Sequence, residues 1–147
     1  QMCIRDSYWR DSISPRKVAI SIRNSSNLWY LVKYENHNCG VVALSDIEKD
    51  DRTAMIWYFL GDNFLSNKGI ISTAIHKLLR ISFEELNLSC VYAWYVEDNK
   101  ASSKVLEKNG FTEIGSMPSS FNFNGNLRSR KYVYLTSELW KDSGNRV

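Results

Sequence analysis

Ser66-Asn67-Lys68-Gly69-Ile70-Ile71-Ser72-Thr73-Ala74-Ile75 starts as a glycine-bearing turn and runs into a helical pattern. From Ser72 the apolar period is 3.6. Ile71, Ile75, Leu78, Leu79, Phe83 and Leu86 fall on one face, with His76, Lys77, Arg80, Glu84 and Glu85 mostly opposite. Asn87 is the expected stop. Residues 90–96 are apolar at both parities, as a strand covered on both sides must be. A helical crossover makes this strand parallel to the one before it. Asn99 then caps a second helix carrying Val105 and Leu106, which Asn109-Gly110 closes in the left-handed manner with Phe111 folding back. Residues 66–111 therefore read as two consecutive strand–helix units, the first built to handle phosphate.

The phosphate reading is physical. Gly69 permits close approach of backbone, and the helix opening after it offers the N–H groups of Ile70, Ile71 and Ser72 with the positive end of the helix dipole. Lys68 adds a cation. The turn is not a Walker loop, since Gly-Lys-Ser/Thr is missing, nor a dinucleotide fingerprint. A plain turn is the alternative reading of one glycine at a helix start.

Working outward, Leu28–Tyr34 reads as a strand, residues 35–38 as a turn and 40–44 as the returning strand of an antiparallel hairpin. Residues 46–52 read as a charged loop, and Thr53–Leu60 as a third strand. Downstream, 111–116 and 131–135 read as strands, with Asn124-Gly125 as a hairpin turn between them. Upstream, Ser14 and Pro15 open a weakly patterned helix to Ser25. Residues 1–12 fit no period and read as a non-native or truncated leader, leaving 13–147 as one domain.

The composition sets bounds on function. The chain has 147 residues, 44% hydrophobic and 13% aromatic, enough for a single packed core. A net charge of +3 is compatible with an anionic ligand and too small and dispersed for nucleic acid. No apolar run is long enough to span a membrane, and no signal peptide is evident, so a cytoplasmic location is expected. Cys3, Cys39 and Cys90 are odd in number and widely spaced, which argues against disulfides and zinc knuckles. No metal is expected.

The spacing from Lys68-Gly69-Ile70 to Asn99-x-x-Ser102 to Gly110-Phe111 resembles the GNAT superfamily of N-acetyltransferases. The tail, with Asn124-Gly125, Arg128, Arg130, Tyr132 and residues 135–140, is similar to its ribosomal-protein-type branch. The resemblance implies a single α/β domain with a central mixed, splayed sheet flanked by helices, its N-terminal elements truncated. It implies that CoA pyrophosphate rests on Lys68, Gly69, Ile70, Ile71 and Ser72. The pantetheine arm would lie between the strands matching residues 56–60 and 90–96, with Asn99 contacting it and an oxyanion held near Leu60. Where the family loop usually begins with Gln or Arg and then Gly, this chain has Ser66 and Asn67. A Tyr that often protonates the departing thiolate is replaced by Leu106, and a Glu used as base in some members by Met55.

The function this implies is direct transfer of acetyl from acetyl-CoA to a primary amine, on an amino-sugar nucleotide or a protein N-terminus. A homodimer is a compatible assembly. Ser102 is the candidate donor to the sulfur, and Glu97 a candidate relay for the ammonium proton, with Asp98, Asp46 and Glu48 as alternatives. Each of these also reads as an ordinary cap or solvated carboxylate. Arg128, Arg130 and Lys131 read either as contacts to acceptor phosphates or as a solvated hairpin. His37, Cys39 and His76 read as turn, strand and surface residues. Trp29, Trp57, Tyr58, Trp94 and Tyr95 are core candidates, with one or two lining an acceptor groove. The rival readings are a non-catalytic acyl-CoA-binding module and a nucleotide-binding domain unrelated to CoA.

Overall fold

The computed structural model describes residues 26–35, 37–61 and 69–144. The expected helix at 14–25, the leader 1–12 and Lys68 lie outside these described residues. The strands are β1 (Leu28–Tyr34), β2 (His37–Glu48), β3 (Thr53–Leu60), β4 (Cys90–Val96), β5 (Thr112–Phe123) and β6 (Asn126–Thr136). They form one sheet in the order β1-β2-β3-β4-β6-β5. Every pairing is antiparallel except that of β3 with β4. That parallel pair is joined by helix α1 (Ile70–Arg80), as its crossover requires. Helix α2 (Lys100–Lys108) follows β4, and the short α3 (Ser137–Asp142) follows β6.

The described helices share one face of the sheet. Tyr30, Val32 and Val42 meet Ile70, Ala74 and Leu78 of α1 around a common cavity, and Val42 is the register neighbour of Tyr58. The end of α2 is tied to the first turn of α1, where Asn109 Nδ2 donates to Ser72 O at 3.2 Å and to Ser72 Oγ at 3.1 Å. Trp140 of α3 packs on Phe83, ring centroids 5.5 Å apart. Alternation along the strands then puts Trp57 and Trp94 on the opposite face. There Trp29 meets Trp57 edge-on at 4.6 Å.

Local chemistry explains most boundaries. Asn99 caps α2 by accepting from Ser102 N–H at 3.0 Å. Gly110 sits at φ 88 beyond its end, while Gly110 N–H and Phe111 N–H return to Glu107 O and Leu106 O. Asn124 and Gly125 both have positive φ, 49 and 85, the requirement of the two-residue turn that joins β5 to β6.

Three expectations need correction. The charged loop at 46–52 is a turn only from Lys49, because β2 continues to Glu48 through a bulge after Ser45. Asp46 absorbs that bulge at φ 51, and the partly buried Ile47 packs on the core. The strands expected at 40–44 and 131–135 are likewise parts of longer strands, and the one expected at 111–116 starts at Thr112 and runs on to Phe123. Leu86 leaves the apolar face and is 38% exposed. After Arg80 the chain makes a π turn, Ile81–Glu85, in which Ser82 Oγ donates to Leu78 O at 2.7 Å. The extra residue rotates the register, so Leu88, 3% exposed, takes the core place instead.

Candidate active site

β3 and β4 are not zipped together. Their ladder holds at Thr53–Cys90, Ala54–Val91 and Met55–Tyr92 and then ends, although β3 runs on to Leu60 and β4 to Val96. The separation is not fraying. On its outer side β3 stays paired with β2 through Leu60, and β4 with β6 through Val96. Two fixed strands thus diverge toward their C-terminal ends, and the facing edges of 56–60 and 93–96 carry backbone groups that no strand ladder uses. Leu60, expected at the oxyanion position, ends β3 opposite Gly40.

The start of α1 lies at the wide end, following β3. Gly69 is its N-cap at φ 67, with no side-chain cap and no acidic residue in the first turn. Thr73 N–H is the first to close back, on Gly69 O at 3.0 Å. Helix geometry therefore leaves the N–H groups of Ile70, Ile71 and Ser72 without an intrahelical acceptor. A Cβ built at Gly69 meets none of the described residues within 4 Å, so among these residues open space adjoins those donors. Ile71 is buried, and the Ser72 side chain faces Asn109. These two side chains help hold the turn.

Asn99 follows the other diverging strand. It is 2% exposed, with its N–H bound to Val96 O at 2.8 Å and its Oδ1 taken by Ser102 N–H. Its Nδ2 is buried and has no hydrogen-bond partner among the described residues. A buried amide donor left unmade costs about 1–3 kcal/mol, which a carbonyl acceptor entering between the strands would relieve. Ser102 is 1% exposed in the same helical turn. Glu97 is exposed at the end of β4; its Oε1 accepts from Ser129 N–H at 3.1 Å and its own N–H returns to Ser129 O. Leu106 is buried in the core, and so is Met55.

Gly69 to Ser72, Asn99 and Ser102 are brought to the wide end of the divergence or the helices that flank it. A cavity of about 520 Å³ lies elsewhere, between β1 and the Ile70–Ala74–Lys77 stripe of α1. The slot between the strands, not that cavity, collects the polar donors. Among the described residues no group of three or more His, Cys, Asp or Glu side chains could hold a metal ion. Nor is any described helix long and apolar enough to cross a membrane.

Sequence spacing misses two residues. It presents Asn109 only as a helix end, yet Asn109 braces the first turn of α1. It groups Arg130 with Arg128 and Lys131, but Arg128 pairs with Asp98 and Lys131 with Glu113, while Arg130 lies over Trp94, 4.3 Å from the ring centroid. Only the strand register separates these three cations, and no sequence spacing encodes it.

Comparison with known proteins agrees with this geometry. The family model described as an acetyltransferase (GNAT) domain matches residues 5–112. YdaF of Bacillus subtilis (strain 168), named as a candidate ribosomal N-acetyltransferase, is 32% identical over 108 residues, covering 74% of this chain and 58% of that protein. The spermidine N(1)-acetyltransferase of Vibrio cholerae serotype O1 (strain ATCC 39315 / El Tor Inaba N16961) is 29% identical over 96 residues, covering 65% and 55%. The chain thus spans between half and three fifths of the length of these relatives. A crystal structure titled as a probable acetyltransferase superposes with a TM-score of 0.74 at 28% identity, covering 90% of this chain and 70% of that one.

Proposed function

The chain belongs to the GNAT acetyltransferase family, and from that premise we propose that it transfers acetyl from acetyl-CoA directly to a primary amine. The observation that carries this reading is the divergence of β3 from β4 while both outer edges stay paired. Such a slot admits a thin, amide-bearing pantetheine chain. The buried Asn99 Nδ2 supplies a donor for one of its carbonyls, and the first turn of α1 a cradle for pyrophosphate.

The chemistry follows from the groups at the slot. The neutral amine nitrogen attacks the thioester carbonyl carbon, and the oxyanion that forms accepts from main-chain N–H near Leu60. The C–S bond then breaks, and the sulfur takes a proton through the Ser102 hydroxyl, which is refilled at once from water, so no net proton is lost from Ser102. The ammonium proton leaves through water to Glu97 or bulk. Holding amine and thioester together supplies much of the rate, so weak acid–base groups suffice for an unhindered amine. The acceptor is an amino-sugar nucleotide or a protein N-terminus; the spermidine-acetylating relative adds a polyamine to the set to be tested.

The test is titration with acetyl-CoA while free thiol is followed across an amine panel. Amine-dependent thiol release supports transfer. Binding with no release from any amine favours a non-catalytic acyl-CoA-binding module, a reading motivated by the buried Leu106 and Met55 where a thiolate donor and a base would stand. Ser102→Ala is expected to slow turnover roughly tenfold or more with acetyl-CoA affinity unchanged. Full activity in that variant would remove Ser102 as the acid.

A further inference from the structure

Arg130 sits on the last rung of the β4–β6 ladder, opposite Val96, at the end of β4 where it stands apart from β3. Its guanidinium lies over the Trp94 ring at 4.3 Å, with the Phe121 ring at 6.0 Å. Local structure fixes that pose. The β5 ladder shifts between Met117 and Phe121, with Ser119 at φ 52. Ser120 Oγ accepts from Arg130 N–H at 3.0 Å. This irregularity places Phe121 beside Trp94, centroids 6.2 Å apart. Trp94 and Phe121 are buried, and Arg130 is half-buried.

Among the described residues no carboxylate answers the charge on Arg130. Asp98 is taken by Arg128 and Glu113 by Lys131, and the buried Nε of Arg130 has no hydrogen-bond partner among the described residues. Stacking on an aromatic face holds a guanidinium in place and leaves its N–H edge unused. That edge is a planar fork matched to a carboxylate or phosphate. Trp94 lies on the sheet face opposite α1 and α2, so the fork stands across the slot from the carrier cradle, where an incoming amine would lie.

We infer that Arg130 is a specificity-determining residue: the amine acceptor carries a carboxylate or phosphate, which the guanidinium edge binds while the amine reaches the thioester. The inference rests on the acetyl-transfer reading above. A linear polyamine, carrying only positive charge, is then a poor acceptor.

Matched acceptors test it: a peptide with Asp or Asn at its second position, an amino sugar with or without a nucleoside diphosphate, and spermidine. With acetyl-CoA saturating, kcat/KM is expected to favour the anionic member of one pair about 10- to 100-fold. The pair that responds identifies the carboxylate or the phosphate source. Arg130→Gln equalises that pair with acetyl-CoA affinity unchanged, and Arg130→Lys recovers part of the preference; thermal unfolding checks that each variant folds. Equal use of both members in both pairs, preference for spermidine, or a preference that survives Arg130→Gln overturns the inference and leaves acetyl transfer standing. If no amine releases thiol, the transfer reading fails, and the NMR signal of Arg130 Nε–H still decides. A shift with the anionic compounds and none with the neutral ones supports the anion site, and no shift with either overturns it.

Discussion

Replacing Asn99 by Asp keeps the oxygen that accepts from Ser102 N–H and removes the buried, unpartnered Nδ2. The two roles of this side chain therefore separate. Asn99→Ala is expected to lose about 1 kcal/mol of stability with the cap, and acetyl-CoA affinity as well. Asn99→Asp should hold the thermal midpoint and still lose affinity, since a carboxylate cannot donate to a carbonyl. Calorimetric titration beside thermal unfolding reads both, and tight binding by Asn99→Asp would make the residue a cap alone. Tyr92 offers a second residue-scale test, in pH. Burial first, then Asp46, Glu48, Tyr132 and Cys90, raise its phenol above the ordinary 10.0. Below the ordinary value folded and unfolded chains both hold the proton, so the full contribution is present there. As pH rises through that value the unfolded chain ionises first, and stability falls until the folded phenol ionises too. Tyr92→Phe is expected to blunt the alkaline loss in urea unfolding between about pH 9 and 11; an unchanged slope would contradict the assignment.

The first turn of α1 is an element held from two sides, by its backbone at Gly69 and by Asn109 of the neighbouring helix end. Asn109→Ala removes the donor to Ser72 O and Ser72 Oγ and is expected to weaken acetyl-CoA binding several-fold, because the turn loosens while its own main-chain donors stay in place. Gly69 separates conformation from space. At φ 67 an Asn is tolerated, so Gly69→Asn should bind nearly as the parent does, whereas Gly69→Trp fills the open cradle and should abolish affinity. Equal binding by both variants in the same titration would remove the phosphate assignment. This element also marks where sequence is legible. α2 is readable from end to end because its cap, its apolar positions and its closing Gly110 are all local. The exposure of Leu86 is not, because a π turn has no signature in a 3.6-residue pattern. The strand through Asp46 is hidden in the same way: charge points to a loop, while the decisive facts, a bulge and the packing of Ile47, depend on neighbouring strands. Asn99 is legible as a cap; its orphaned Nδ2 is not, since burial and partner come only with the fold.

At the scale of the whole molecule the sheet is two antiparallel halves, β1–β2–β3 and β4–β6–β5, joined by a short parallel ladder ending at Met55 and Tyr92. Each half carries its own hydrogen bonds, so opening the slot costs neither half its structure. The described helices lie on one face, and Trp57, Trp94 and Arg130 lie on the other. A carrier held on the helical side and an acceptor on the aromatic side would meet inside the slot. Hydrogen exchange tests that architecture without needing turnover. Along 56–60 and 93–96, amides directed at β2 or β6 are in ladders and should be protected in the free protein. Those directed into the slot lack a ladder partner there and should exchange faster than the amides of the Thr53–Met55 and Cys90–Tyr92 ladder. Acetyl-CoA is expected to slow this slot-facing set and the amides of Ile70 to Ser72, while those of the β5–β6 turn at Asn124-Gly125 stay unchanged. Uniform protection across 56–60 and 93–96 in the free protein would mean that the two halves close on each other, and a chain without a slot has no place for a thioester arm.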